Sequence, residues 1–187
     1  MDRCRDKATF DKAVALINDF KAYFIRHGQE VYENPSPGNK AGGITTLEDK
    51  SLGCTQKGGT AEVRGVLKYC EPVKEKGLNL VQGPGNDLCA ITALMASGAQ
   101  MVLFTTGRGT PVGAPIPTVK VATNTPLAQK KHSWIDFNAG VLVQGASMEE
   151  TTETFFRKLL AIASGEQTQS EIHGYREIAI FKDGVTL

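Results

Sequence analysis

Met101-Val102-Leu103-Phe104 is an unbroken apolar run between Gly98 and the Gly107-Arg108-Gly109 turn. A strand that is apolar at every position is covered on both faces, which is the burial of a parallel strand in an α/β protein. A helical pattern from about Leu88 to Ser97 stands before it, with Gly98 as its stop. Before that helix, Leu78 to Val81 reads as a short strand. Together they predict a strand-helix-strand unit.

The rest of the chain alternates in the same way. Phe10, Ala13, Val14, Ile17, Phe20 and Phe24 recur at helical spacing and predict a helix from about Thr9 to His27, ended by Gly28. Residues 32 to 43 hold two prolines and several glycines and read as an ordered loop without regular structure. Thr45 and Glu48 have capping-box spacing and predict a short helix closed at Gly53. Val63, Val66 and Leu67 predict another helix between Thr60 and Tyr69. Further strands are predicted at Thr118 to Ala122, Trp134 to Phe137 and Glu177 to Phe181. Ser147 and Glu150 have the spacing to open a helix running to about Ala163. The expected architecture is one α/β domain over residues 1–187 with a mostly parallel sheet.

Composition narrows the function classes. With 21 Lys and Arg against 20 Asp and Glu, scattered along the chain, there is no basic stripe for nucleic acid. No apolar run nears the roughly 20 residues needed to span a bilayer, and the opening residues lack the apolar core of a signal peptide. Cys4, Cys54, Cys70 and Cys89 form no Cys-x-x-Cys pair, which argues against a zinc knuckle or a disulfide scaffold. A cytoplasmic protein with a small polar ligand is expected, with neither a nucleic-acid nor a membrane partner.

In an open parallel sheet, ligands bind beyond the carboxyl ends of the strands. The loops after the predicted strands carry Asn86 and Asp87, Thr106 and Arg108, Asn124, and Asn138, and are expected to converge on one rim. Arg108 is a candidate to grip a carboxylate with two parallel hydrogen bonds; a tight turn with a solvated arginine is the competing reading. The Gly-x-Gly there lacks the third glycine of a dinucleotide fingerprint, so no nicotinamide cofactor is expected. Asn86 or Asp87 suits a helix N-cap as well as an anion site. Glu48 and Lys50 are candidates for proton transfer beside a carboxylate, although Glu48 also fits its capping box. Lys40, beside Asn39 in a glycine-rich loop, is a candidate to neutralise a substrate carboxylate. Cys54 reads as a buried small hydrophobe. His27, His132 and His173 show no metal-ligand spacing, so no metal site is derivable from the pattern.

These residues lie in long runs: residues 34–54 (NPSPGNKAGGITTLEDKSLGC), 77–80 (GLNL), 84–87 (PGND), 101–111 (MVLFTTGRGTP), 134–140 (WIDFNAG) and 176–187 (REIAIFKDGVTL). In them the chain closely resembles the altronate/galactarate dehydratase family, nearer its altronate than its galactarate members, with sulfolactate sulfo-lyase more distant. The resemblance implies a Rossmann-like, three-layer C-terminal domain of a longer enzyme whose N-terminal β-rich and central regions lie outside this chain. It implies a hydro-lyase converting D-altronate to 2-dehydro-3-deoxy-D-gluconate in hexuronate catabolism, with Fe2+ or Mn2+ as cofactor. The expected partners are the sugar acid, the other regions of the same enzyme and further copies of the chain; the isolated segment is expected to be inactive. Asn39, Lys40, Asn86, Asp87, Thr106, Arg108 and Asn124 are then substrate-binding candidates, and Glu48 and Lys50 catalytic ones. A galactarate dehydratase domain and a non-catalytic scaffold or oligomerisation domain are the alternatives.

Overall fold

The computed structural model describes residues 2–30 and 34–184. It has two compact units: residues 1–86 with 181–187, and residues 87–180. Every strand pairing among the described residues is parallel, as the α/β expectation requires. No described helix is long and apolar enough to cross a membrane.

The first unit opens with α1 (Lys7–Arg26), whose first turn is capped by Asp6 accepting from the Thr9 amide at 2.7 Å. Gly28, at φ +61°, lets the chain leave the helix where an L side chain is strained. Contrary to the loop expected over 32–43, Pro37–Ala41 forms a one-turn helix, α2. Ser36 caps it by accepting from the Asn39 amide, and Pro37 sits where a missing N–H costs nothing. Tyr32 and Glu33 lie outside the described residues.

The next helix, α3 (Leu47–Gln56), begins one residue later than the Thr45–Glu48 spacing indicated: Thr46 is the cap, accepting from Asp49 at 3.2 Å. Two adjacent threonines offer two registers, and the second is used. Gly53 is inside this helix, and Cys54 is exposed on its last turn instead of buried.

Residues 63–67 form a strand, β1 (Val63–Leu67), where a helix was predicted. β1 pairs in parallel with β2 (Leu78–Val81), with a register shift between Val63 and Gly65. The buried side chains, Val63 and Leu67, are four apart, a spacing that one strand face and one helix face share, and Gly65 between them carries no side chain to reveal the strand alternation. Arg3 to Arg5 lie along the other side of Val63, whose amide donates to the Arg3 carbonyl at 2.6 Å.

The second unit begins with α4 (Asp87–Ala96), close to the predicted helix. Its sheet has the order β3-β4-β5: β3 (Val102–Thr106), β4 (Thr118–Ala122) and β5 (Phe137–Asn138). β2 and β3 therefore belong to different sheets, and the predicted strand-helix-strand unit is not one sheet motif. The predicted strand at 134–137 is reduced to β5, because Trp134 closes a turn by donating its amide to Lys131 at 2.8 Å. Ile91, Val102 and Ala114 form one core cluster of this unit, and Ala122, Leu127 and Ile135 another.

β4, the middle strand, is buried at all its positions, including Lys120 at 1% exposure. The short α5 (Thr125–Lys130) follows it, then a 3-10 turn (Ala139–Gln144) after β5, and α6 (Met148–Ala163) capped by Ser147. Last comes α7 (Gln169–Ile172), with a Thr168–Glu171 capping box. The strand expected at 177–181 is absent. Ala179 instead donates its amide to the Thr92 hydroxyl, and Phe181 donates to the Tyr69 hydroxyl, so no ladder forms.

Candidate functional site

At the carboxyl end of the second sheet, β3 exits into Gly107-Arg108-Gly109, β4 into Thr123-Asn124, and β5 ends at Asn138. The first two of these exits are tied together. The Thr106 hydroxyl accepts the amides of Gly109 at 2.8 Å and Arg108 at 3.3 Å. Asn124 caps α5 by accepting from Leu127 and donates its side-chain amide to the Gly107 carbonyl at 3.0 Å. Thr123 donates its amide and hydroxyl to the Thr106 carbonyl. Lys131 donates to the carbonyls of Arg108 at 2.9 Å and Gly109 at 3.5 Å. Backbone donors and acceptors of the turn are thus satisfied from three directions, while the exposed Arg108 guanidinium has no partner among the described residues. That is the arrangement of a turn built to present one side chain.

Asn138 extends this rim. Its side chain accepts from Gly140 at 2.9 Å and donates to the Thr125 hydroxyl at 3.1 Å, which in turn donates to Gln144. Gly140 has to be glycine, because a Cβ there would fall inside 3.0 Å of the Thr125 nitrogen and of Asn124 backbone atoms. Thr106, Arg108 and Asn124 therefore share one rim, as expected.

The other candidates belong to other elements. Asn86 ends the first segment of the first unit and Asp87 opens α4; β2, which feeds their loop, is in the other sheet. The single rim expected for all these loops is thus not formed by one sheet. In the first unit, Lys50 reaches from α3 to α2 and the residues before it, donating to the side-chain oxygens of Asn34 at 2.7 Å and Asn39 at 3.3 Å. Asn39 also accepts from the Ser36 hydroxyl at 3.1 Å. Asn39 and Lys50 are therefore in contact, bracing α2 against α3, and Lys40 is exposed beside them. Glu48 is exposed two residues from Lys50 along a helix, a spacing that points side chains to nearly opposite faces, so these two do not form a pair.

A cavity of about 280 Å3 lies in the first unit, walled chiefly by Tyr23, Phe24, Tyr69 and Phe181, with Arg26 and Gln82 at its polar parts. None of the nine candidate residues lines it. Among the described residues no three His, Cys, Asp or Glu side chains gather as a metal site would need.

Two groups of the second unit escaped the candidates. Lys120 has an unpartnered ammonium, 5.9 Å from the Tyr175 ring centroid. Burial brings it down from 10.5 to about 8, against the opposing pull of the Asp136 and Glu177 carboxylates. Asp136 accepts the amides of Lys120 and Gln169, both at 2.7 Å, yet burial raises its carboxyl above the ordinary range. A lysine between Val119 and Val121 in an apolar strand was the available signal for this pair. Lys131 had none, since its partners lie 22 and 23 residues back along the chain.

Residues 1–186 match the family model described as D-galactarate/Altronate dehydratase, C-terminal. The chain is 60% identical over 187 residues to altronate dehydratase of Escherichia coli (strain K12). It is 59% identical over 188 residues to that of Bacillus subtilis (strain 168). All of this chain is covered in both cases, but it spans only 38% of each relative's length. Galactarate dehydratase (L-threo-forming) of Escherichia coli (strain K12) is 38% identical over 152 residues, 79% of this chain and 29% of its own length. A match this long, at this identity, places the chain in the D-galactarate/altronate dehydratase family, as its C-terminal part.

Proposed function

We propose that this chain is the substrate-carboxylate-binding part of a hydro-lyase that dehydrates D-altronate to 2-dehydro-3-deoxy-D-gluconate in the cytoplasm. The observation that carries this reading is the braced Gly107-Arg108-Gly109 turn with its unpartnered guanidinium. The identity to two altronate dehydratases supports altronate over galactarate as substrate. Four free cysteines suit a reducing compartment.

Dehydration next to a carboxylate removes a carbon-bound proton and leaves negative charge delocalised onto that carboxylate. A planar guanidinium donating two hydrogen bonds to the carboxylate stabilises that charge as it grows. Thr106 and Asn124 act through the turn in this reading. Lys40 and Asn39, with Asn86 and Asp87, are the further candidates for sugar contacts, and Glu48 for proton transfer. Lys50 already donates to two amide oxygens, so its role is to hold α2 and α3 together. The family's Fe2+ or Mn2+ does not fit the donors of this chain, which lack a three-ligand cluster among the described residues. Its ligands belong, in this reading, to the other regions of the enzyme.

The test is titration of the chain with D-altronate and D-galactarate by calorimetry, beside dehydration assays with ferrous iron. Arg108→Ala is expected to weaken D-altronate binding by about 10- to 100-fold, the range for losing a charge-assisted bidentate pair, with the melting temperature unchanged. Arg108→Lys keeps the charge but not the fork and is expected to fall between. Equal binding by the wild type and Arg108→Ala would remove the proposal.

A second reading, a docking role toward the other regions of the enzyme, is favoured by α6. Met148, Phe156 and Leu160 are 66%, 55% and 51% exposed on one stripe of that helix. Phe156→Asp with Leu160→Asp in a full-length dehydratase is expected to release this part to proteases while leaving its own melting unchanged; undiminished protease resistance would exclude the role.

A further inference from the structure

Lys131 caps α5 and turns its ammonium back onto the Arg108-bearing turn. Three features fix its place. It donates to the Arg108 and Gly109 carbonyls, lies 4.6 Å from the Trp134 ring centroid, and runs its stem so close to Gly109 that a Cβ there would meet the Lys131 Cδ at 3.1 Å. The turn is therefore shaped by opposed pulls: its amides toward the Thr106 hydroxyl, its carbonyls toward Lys131, and Gly107 toward Asn124. Gly109, at φ +78°, is the residue type that permits this approach.

We infer that Lys131 is the positioning residue for Arg108: its ammonium fixes the backbone from which the guanidinium projects. This rests on the reading of Arg108 as the carboxylate-binding group. Lys131 itself touches no substrate in this scheme. Its charge is engaged by two carbonyl dipoles and an aromatic face, so it orders the turn without competing for the carboxylate.

The test compares the wild-type chain with Lys131→Met, Lys131→Arg and Arg108→Ala by amide hydrogen exchange and by D-altronate titration. Lys131→Met keeps the stem and removes the charge. It is expected to speed exchange at the Arg108 and Gly109 amides and to weaken D-altronate binding, each by about tenfold, the factor carried by one charge-assisted hydrogen bond. Lys131→Arg is expected to recover most of both effects. A structural role alone predicts a lowered melting temperature with unchanged affinity, and that outcome overturns the inference. So does unchanged exchange at the turn in Lys131→Met, a readout that needs no ligand. If the wild type binds D-altronate and Arg108→Ala does not, while Lys131→Met binds like the wild type, the functional reading survives and this inference fails. If no variant binds but the turn amides loosen in Lys131→Met, the functional reading fails and the ordering role of Lys131 stands.

Discussion

Gly140→Ala is expected to destabilise the 87–180 unit by about 3 kcal/mol, the upper part of the range for forcing a methyl into a packed interior. The cost is high because the obstructing atoms are backbone. The added carbon would fall within 3.0 Å of the Thr125 nitrogen and of Asn124 backbone atoms, which cannot rotate away as a side chain would. Those same atoms begin α5 and form its cap, so relief means breaking the Asn124–Leu127 and Asn124–Gly107 hydrogen bonds. Trp134 is the chain's one tryptophan and lies in this unit, so urea unfolding followed by its fluorescence reports the effect directly. Gly53→Ala, inside α3 of the other unit with open space around its Cβ position, is the contrasting substitution and is expected to be stabilising by about 0.5–1 kcal/mol, read by circular dichroism. A Gly140→Ala chain with the wild-type urea midpoint would show that the 3-10 turn does not press on the rim as described.

The second large effect concerns alkali. Lys120 has a folded-state value of about 8 against an ordinary 10.5. Below pH 8 both states carry the charge, and the folded one holds it buried. Between pH 8 and 10.5 the folded state has released its proton while the unfolded chain retains it, so the unfolded state binds more protons and stability rises with pH. The difference of about 2.5 units corresponds to about 3 kcal/mol of stability absent below pH 8 and fully gained above 10.5. Lys120→Met removes the titrating group, and the difference between its urea midpoints and those of the wild type should trace this rise. Parallel pH profiles for the two proteins would mean that Lys120 keeps an ordinary ammonium in the fold.

Much of the scaffold was legible because its signals are local. α1, α4 and α6 announce themselves by helical period and by stop or cap residues, and β3 and β4 by unbroken or nearly unbroken apolar runs. The misreadings have equally specific causes. Val63 and Leu67 are spaced like helix neighbours, and Gly65 between them hides the alternation of β1. Ile178 and Ile180 alternate like strand residues, yet they are 57% and 80% exposed because their segment is anchored by side-chain hydroxyls instead of a neighbouring strand. Membership of a particular sheet depends on pairing partners remote in sequence, which is why β2 and β3 were wrongly joined in one strand-helix-strand unit. The candidate site divides in the same way. Arg108, Thr106 and Asn124 follow from strand exits, whereas the contact of Lys131 with the turn spans more than twenty residues and leaves no periodic trace.

The segment from Phe181 to Gly184 fastens the first unit through contacts with residues made long before it. Phe181 donates to the Tyr69 hydroxyl, Gly184 to the Tyr23 hydroxyl, and Asp183 meets His27 at 3.1 Å, across 112, 161 and 156 positions of chain. The 87–180 unit is contiguous, yet it too closes late, through Ala179 on Thr92 and Glu177 on Gly113, 87 and 64 positions back. On a ribosome making the chain from its amino end, neither unit can finish its packing until residues 177–184 emerge, and Tyr23 and Tyr69, made long before, stay unclasped until then.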